Sequence, residues 1–185
     1  HLEAFKKKNI DVLILTDPID TFWLSVVNDF EEKKFMSITH GEIDLDKFSS
    51  EKNKGKDENK DTKKFDKLIK EMKNTLGEKV ADIRLSKKLV DSACCLVASD
   101  TGMDVHMERM MMMQNKDFKG MPRVLELNPN HVLIKKLNSL TEKSSDTHKK
   151  ITLTLYDQAR LMEGQLPEDI GDYCTRVATY MKSSL

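Results

Sequence analysis

Short apolar runs and helical stripes alternate along the chain and predict an α/β (α+β) fold. A short helix is expected to end at Asn9, and residues 10–15 form an apolar run typical of a buried parallel strand. Pro18 then predicts a helix start, and residues 35–38 predict another strand. We interpret residues 1–50 as a small αβ unit.

The character of the chain changes completely over residues 49–64 (SSEKNKGKDENKDTKK). This stretch has almost no apolar residue and is dense in lysine, aspartate and glutamate, a composition typical of a solvated linker. We therefore predict a domain boundary here. Residues 51–64 would form a charged linker and helix start, and residues 65–185 a second domain.

The second domain begins with a helical stripe from Phe65 that ends before Gly77, a suitable C-cap residue. Three strands are then predicted, at residues 80–85, 94–98 and 123–127. The pattern indicates a mixed three-stranded sheet accompanied by helices.

Residues 102–115 hold six of the eleven methionines. Four of them follow one stripe of a helix, at i, i+4, i+7 and i+8: Met103, Met107, Met110 and Met111. The simplest interpretation is a core helix. However, a one-sided helix face cannot bury the four consecutive methionines at 110–113, so part of the run should be exposed. Flexible methionine surfaces are typical of sites for varied apolar partners.

Two further helices are predicted at the end of the chain, the first ending near Gly164 and the second starting at Pro167. Their apolar residues recur with helical, coiled-coil-like spacing: Ile151, Leu155, Ala159 and Met162, then Ile170, Tyr173, Cys174, Val177, Ala178 and Met181. Two interpretations remain open on this pattern. The hairpin closes the core of its own domain, or it packs on its twin in a dimeric four-helix bundle.

Composition narrows the function classes. The chain has 31 basic and 31 acidic residues, which argues against a nucleic-acid partner held by bulk charge. No apolar run approaches the length of a membrane span, so we expect no membrane partner. Three cysteines form no disulfide framework and fit a reducing, cytoplasmic location. The absence of an initiator methionine and of a signal pattern suggests a piece of a longer protein.

Catalytic and metal-site patterns are weak. Cys94 or Cys174 could act as a nucleophile with His106 or His131, but no local motif supports this, and a cysteine in an apolar strand is usually inert. The residues that could form a metal site do not have CxxC or HExxH spacing: Cys94, Cys95, His106 and Glu108. No phosphate-binding glycine loop is present. We expect no catalytic, metal-binding or cofactor-binding residue in this chain.

Three segments carry a family resemblance. Residues 124–135 (VLELNPNHVLIK) resemble the ELNPxHPL-type signature of the heat-shock protein 90 chaperones, and in particular of their bacterial, high-temperature protein G branch. Residues 9–20 (NIDVLILTDPID) are similar to the family's GxEVLxLxDxIDE segment, and residues 80–86 (VADIRLS) to its KVxDVRxS segment. Their order and spacing also fit, and the resemblance covers essentially the whole chain.

The resemblance implies that the chain is the end of a chaperone middle domain followed by the C-terminal dimerisation domain. It favours the homodimer interpretation of the terminal helices, with an interface of Ile151, Leu155, Ala159, Met162, Ile170, Tyr173, Cys174, Val177 and Met181. It also implies a cleft that binds partly unfolded client proteins. The client-binding residues would be Phe22, Trp23, Met103, Met107, Met110 and Met111.

The chain departs from the bacterial pattern at Thr21-Phe22-Trp23, where Glu-Trp is common, so either Phe22 or Trp23 could face the cleft. In the family, the ATPase domain and a catalytic arginine precede the region resembled here. The resemblance therefore implies that ATP and magnesium bind in the parent protein and that this segment acts by binding alone. The alternative is a purely structural dimerisation scaffold whose methionine helix is buried.

Overall fold

A computed structural model describes residues 2–17, 19–38, 58–99, 105–115, 118, 120–140 and 145–183. The first part holds two short helices, α1 (Glu3–Lys7) and α2 (Asp20–Val26), and a hairpin of β1 (Asp29–Phe30) and β2 (Lys33–Lys34). As predicted, the helix stops before Asn9, whose φ of 54° is a left-handed conformation that asparagine tolerates better than most residues.

Both strands predicted in this first part are wrong. Residues 10–15 have no strand partner within the described ranges, and Leu13 and Ile14 are 74% and 71% exposed. A parallel strand needs neighbouring strands and covering helices, and the described residues supply neither to this run. Residues 35–38 follow the hairpin, whose strands pair Asp29 with Lys34 and Phe30 with Lys33 around the turn at Glu31 and Glu32, and they form no strand of their own.

The second part begins with α3 (Glu58–Leu76), which starts within the segment predicted to hold the linker and helix start; residues 51–57 of that segment lie outside the described ranges. The chain continues through β3 (Val80–Leu85), β4 (Cys94–Val97), α4 (Val105–Gln114), β5 (Arg123–Leu127), α5 (Val132–Leu140), α6 (Ser145–Met162) and α7 (Ile170–Ser183). Gly77 has a φ of 53° directly after α3, as expected of a C-cap glycine.

The strands form one mixed sheet in the order β3-β5-β4, which confirms the predicted three-stranded sheet and the α/β class. β5 lies in the centre, parallel to β3 and antiparallel to β4. One face of the sheet is covered by α3, α5 and α6. The most deeply buried side chains of this core are Leu68, Met72, Leu125, Leu127, Ile134, Leu137, Leu155 and Ala159.

The opposite face of the sheet contains a buried polar cluster centred on Glu126, which alternates with Leu125 and Leu127 along β5 and is 2% exposed. Its carboxylate accepts hydrogen bonds from Nε and Nη2 of Arg84, at 3.1 and 3.0 Å, and from Oγ of Ser86, at 2.8 Å. Polar residues of the two family-like segments 80–86 and 124–135 thus meet across the β3–β5 pair.

A single carboxylate joins α1 to the loop before β4. Glu3 accepts hydrogen bonds from the backbone N–H groups of Val90 (2.7 Å), Asp91 (2.8 Å) and Ser92 (3.2 Å), and from the Ser92 hydroxyl. Beside it, Ala4 and Phe5 form a small apolar cluster with Val90. Partial burial opposes ionisation of Glu3, but these four donors outweigh it and lower the pKa of the carboxyl to about 2.

Replacing Glu3 with glutamine should weaken this joint in a pH-dependent way. The folded-state pKa of about 2 lies below the ordinary value of 4.5, so the ionised carboxylate stabilises the joint above pH 4.5 and loses this effect as the pH falls towards 2. Partial exposure limits the difference to about 1 kcal/mol. Amide hydrogen exchange of Val90 and Asp91 should show a difference between wild type and variant at pH 6 that shrinks below pH 4.

The exposed Glu78 provides the control for this experiment. Its change to glutamine should leave the exchange of Val90 and Asp91 unaltered at every pH. A Glu3→Gln effect of constant size from pH 6 to pH 2.5 would contradict the role assigned to the Glu3 charge.

Candidate functional site

The described side chains on the face of α4 that points into the domain are Glu108 and Met112. Glu108 is 4% exposed and Met112 is half-buried. Met110 and Met113 lie on the opposite side of α4 and are 41% and 83% exposed, whereas Met111 lies beside the inward face and is 37% exposed. We call these three residues the methionine surface. The four consecutive methionines are thus mostly outside the core, as the length of the run indicated.

Of the remaining predicted client-binding methionines, Met103 lies outside the described residues. Met107 falls within α4, but its side chain is also outside the described part. The methionine surface rests on Met110 and Met111, which were predicted, and on Met113, which was not assigned to the stripe.

Two hydrogen-bond donors hold the buried carboxylate of Glu108. Oε1 accepts the backbone N–H of Met121 at 2.6 Å, and Oε2 accepts Nη2 of Arg123 at 3.0 Å. Nη1 of the same arginine donates to Glu163 at 2.7 Å. Sequence reasoning considered Glu108 only as a member of a weak candidate metal set, and no local signal connects it to Arg123 or Glu163.

Just before β5, the backbone at Gly120 passes close to the side chains of Glu108 and Met112. Gly120 has a φ of 86°, and a Cβ built on it would lie 2.6 Å from both the Glu108 carboxylate and Cε of Met112. The positive φ therefore favours glycine at this position, and a Cβ there would displace the ends of the Glu108 and Met112 side chains.

The two aromatic residues of α2, Phe22 and Trp23, differ in exposure. Phe22 is 58% exposed, whereas Trp23 is half-buried, donates from Nε1 to Asp20 at 3.0 Å and packs edge-on against Phe35 at 5.7 Å between ring centroids. Phe22 is therefore the more accessible of the two candidates. Phe30 (66% exposed) and Met36 (59% exposed) extend the apolar surface of this part, and sequence reasoning missed both.

The apolar residues of α7 form two adjacent stripes. Tyr173 and Val177 are half-buried on the side that carries Arg176, the residue bonded to α6. A second stripe, which we call the α7 stripe, is exposed and recurs at i, i+4, i+8 and i+11: Ile170, Cys174, Ala178 and Met181.

The predicted contribution of α6 to the interface needs correction. Leu155 (1% exposed) and Ala159 (0%) lie in the core of the chain itself, and Ile151 is half-buried against the same core, because α6 packs on β4 and α3. Only Met162, at 64% exposed, is free for an outside contact. Each interpretation of the hairpin thus fits one of its helices. α6 closes the core of its own domain, whereas α7 leaves apolar residues exposed.

The turn between these helices also differs from its prediction. Gly164, with a φ of 76°, ends the first helix as expected. Pro167 is buried in the turn and does not begin the next helix, which starts at Ile170, where Oδ1 of Asp169 accepts the backbone N–H of Asp172 at 2.8 Å. Asp169 therefore acts as the N-cap, a function for which aspartate is well suited.

A buried ion pair attaches α7 to α6. Arg176 is 6% exposed and donates to Asp157 at 2.5 Å, with Asp172 3.2 Å away on its other side. Burial raises the pKa of the Asp157 carboxyl, and the nearby arginine only partly offsets this effect. The polar attachment leaves the α7 stripe outside the contact between the two helices.

The environments of Cys94 and Cys95 disfavour nucleophilic chemistry at these two residues. Burial raises the pKa of Cys94 and Cys95 to about 12 each, so both thiols stay protonated at neutral pH. Among the side chains that the structure describes, no three histidines, cysteines, aspartates or glutamates are grouped to hold a metal ion. Within the same ranges, no helix is long and apolar enough to cross a membrane.

Comparison with known proteins places these features in a family. The family model described as Hsp90 protein matches residues 1–185. The chain is 42% identical to the chaperone protein HtpG of Roseobacter denitrificans over all of its own length and 31% of that relative. It is 42% identical to HtpG of Francisella tularensis subsp. novicida over 98% of its length and 29% of that relative. It is 36% identical to HtpG of Orientia tsutsugamushi over 100% of its own length and 31% of that relative. The chain thus spans about a third of the length of the curated relatives it matches.

Proposed function

Since the chain belongs to the Hsp90 protein family, we propose that it is the homodimerisation segment of an ATP-dependent chaperone and carries part of the surface that binds partly unfolded clients. Residues 1–50 would be the end of the middle domain and residues 65–185 the dimerisation domain. The observation that carries the proposal is the α7 stripe, whose apolar side chains are exposed.

The geometry of the α7 stripe suits a symmetric contact. A two-fold dimer uses the same patch on both protomers, so the patch must be complementary to itself. The α7 stripe is apolar along its whole length, and no charged residue interrupts Ile170, Cys174, Ala178 and Met181. Met162 and Leu166, 64% and 66% exposed near the α6–α7 turn, extend the apolar area, and the half-buried Tyr173 and Val177 border it.

The methionine surface supports the client-binding half of the proposal. Unbranched, polarizable side chains adapt to many apolar shapes, which suits a surface for varied unfolded segments. The alternative, a scaffold with α4 buried, would need these methionines in the core. Instead Glu108 occupies the inner face of α4, and the exposed fractions of Met110, Met111 and Met113 favour the client-binding alternative.

The double variant Met110→Glu with Met113→Glu should reduce affinity for an unfolded model protein by about tenfold or more, since each change puts a charge where apolar contact is needed. Its free energy of unfolding should change little because both side chains are exposed. Fluorescence anisotropy of a labelled, permanently unfolded protein would measure binding, and urea denaturation would measure stability.

Val132→Glu is the matched control. Val132 is an exposed apolar residue (64%) at the start of α5, away from the methionine surface. This variant should bind the unfolded protein as the wild type does. If the methionine double variant kept full affinity, or lost several kcal/mol of stability as a core helix would, the scaffold alternative would replace the client-binding proposal.

The proposed mechanism is binding and not chemistry. ATP and magnesium would bind in the parent protein outside this segment, and ATP-driven opening and closing there would change the cleft between the client-binding surfaces of two protomers. The balanced charge of the chain agrees with protein clients and a second protomer as partners, without nucleic acid or membrane. We propose a cytoplasmic location.

A further inference from the structure

We propose that Arg123 is a positioning residue that fixes α4 against the domain and couples it to the end of α6. Its role in client binding rests on the function proposed above, whereas its effect on α4 does not. Two carboxylates that are 55 residues apart in sequence, Glu108 on α4 and Glu163 just after α6, share its guanidinium at 3.0 and 2.7 Å.

The three side chains are mostly buried, so the hydrogen bonds between them are weakened little by solvent. The exposed side-chain fractions are 10% for Arg123, 6% for Glu108 and 18% for Glu163. Hydrogen bonds between charged groups are the stronger class, and the planar guanidinium can direct separate N–H groups at two acceptors. Lysine carries the same charge but cannot reproduce this geometry.

The position of α4 depends on few other contacts. Within the described ranges, α4 makes no extensive packing contact with any other helix or strand. Its described inward side chains are Glu108 and Met112, and among the described residues only the backbone N–H of Met121 also donates to the Glu108 carboxylate. The described contacts that orient α4 are therefore centred on the Glu108 carboxylate.

The other carboxylate links this arrangement to the terminal hairpin. Glu163 directly follows α6 and precedes Gly164, where the chain turns towards α7. One guanidinium therefore contacts both the helix that carries the methionine surface and the turn that leads into the α7 stripe. A displacement of the turn would change the set of acceptors available to Arg123, and with it the restraint on α4.

Amide hydrogen exchange of the full chain, without any client, tests this inference. Arg123→Lys should increase the exchange rate at residues 111–114 by about tenfold, the effect of losing a charged hydrogen bond. Amides of β4 and α5 should change little. Glu163→Gln, which leaves α4 itself untouched, should also increase exchange in α4, because Arg123 then loses the partner that fixes it.

Arg84→Lys is the matched control, because it weakens another buried arginine–glutamate pair of the same sheet, with Glu126. It should leave exchange in α4 unchanged. If Arg123→Lys fails to fold, Glu108→Gln carries the test, since it keeps the pair of Arg123 with Glu163. Equal acceleration throughout the domain, or unchanged α4 exchange in both the Arg123 and Glu163 variants, would overturn the inference. Selective α4 exchange combined with normal client binding by the methionine double variant would refute only the proposed function.

Discussion

Cys174→Asp should convert the proposed homodimer to monomers without unfolding either protomer. Cys174 is exposed and lies in the middle of the α7 stripe, so the variant places two carboxylates in one symmetric apolar contact. Burying unpaired charges is costly. We expect the dissociation constant to rise by about 100-fold or more, equivalent to about 2.7 kcal/mol. Sedimentation equilibrium would measure the constant, and circular dichroism would confirm that the helices remain.

Thr179→Asp is the matched control for this change. Thr179 is exposed on the same helix, five residues further on, and points away from the α7 stripe. It introduces the same charge at a similar place in α7, so the dimer should persist. Equal dissociation by both variants would mean that net charge on α7, and not the stripe, governs assembly.

Leu155→Ala should destabilise the fold itself by about 2–5 kcal/mol, the usual cost of removing a large buried aliphatic side chain. Leu155 is 1% exposed and belongs to the core between the sheet and its helices. The spacing of α6 left both locations open and the family resemblance favoured the dimer interface, so this variant distinguishes the two locations. Urea denaturation should be performed in the Cys174→Asp background, because dimerisation would otherwise make the apparent stability depend on protomer concentration.

Met162→Ala provides the comparison on the same helix. At 64% exposed, Met162 should change the free energy of unfolding by less than about 1 kcal/mol. A small loss from Leu155→Ala, equal to that from Met162→Ala, would show that α6 does not close the core and would restore the interface assigned to it from the sequence.

Local periodicity was sufficient to predict most elements of the fold. The three strands of the sheet, the glycine ends of α3 and α6, and the methionine helix all carry patterns that short-range physics determines. The failures concern relations between distant segments. Residues 10–15 have the composition of a parallel strand, but composition cannot supply the neighbouring strands that such an element requires.

The candidate site shows the same limit. Helical spacing identified the apolar stripes of α6 and α7, but it could not tell which of them the chain covers itself. The contacts that decide this join distant segments, because α6 packs on β4 and α3, and α7 is attached to α6 by the ion pair of Arg176 with Asp157. In a chain with 34% charged residues, such pairs cannot be picked out from the sequence, because each arginine has many candidate partners.

The central claim is that two copies of this chain associate through the α7 stripe. Sedimentation equilibrium of the wild-type chain over a concentration series tests it most directly. We expect a mass twice the 21.3 kDa of the chain, falling towards one chain mass only on dilution. A mass of 21.3 kDa at every concentration would contradict the account, and the α7 stripe would then have another purpose.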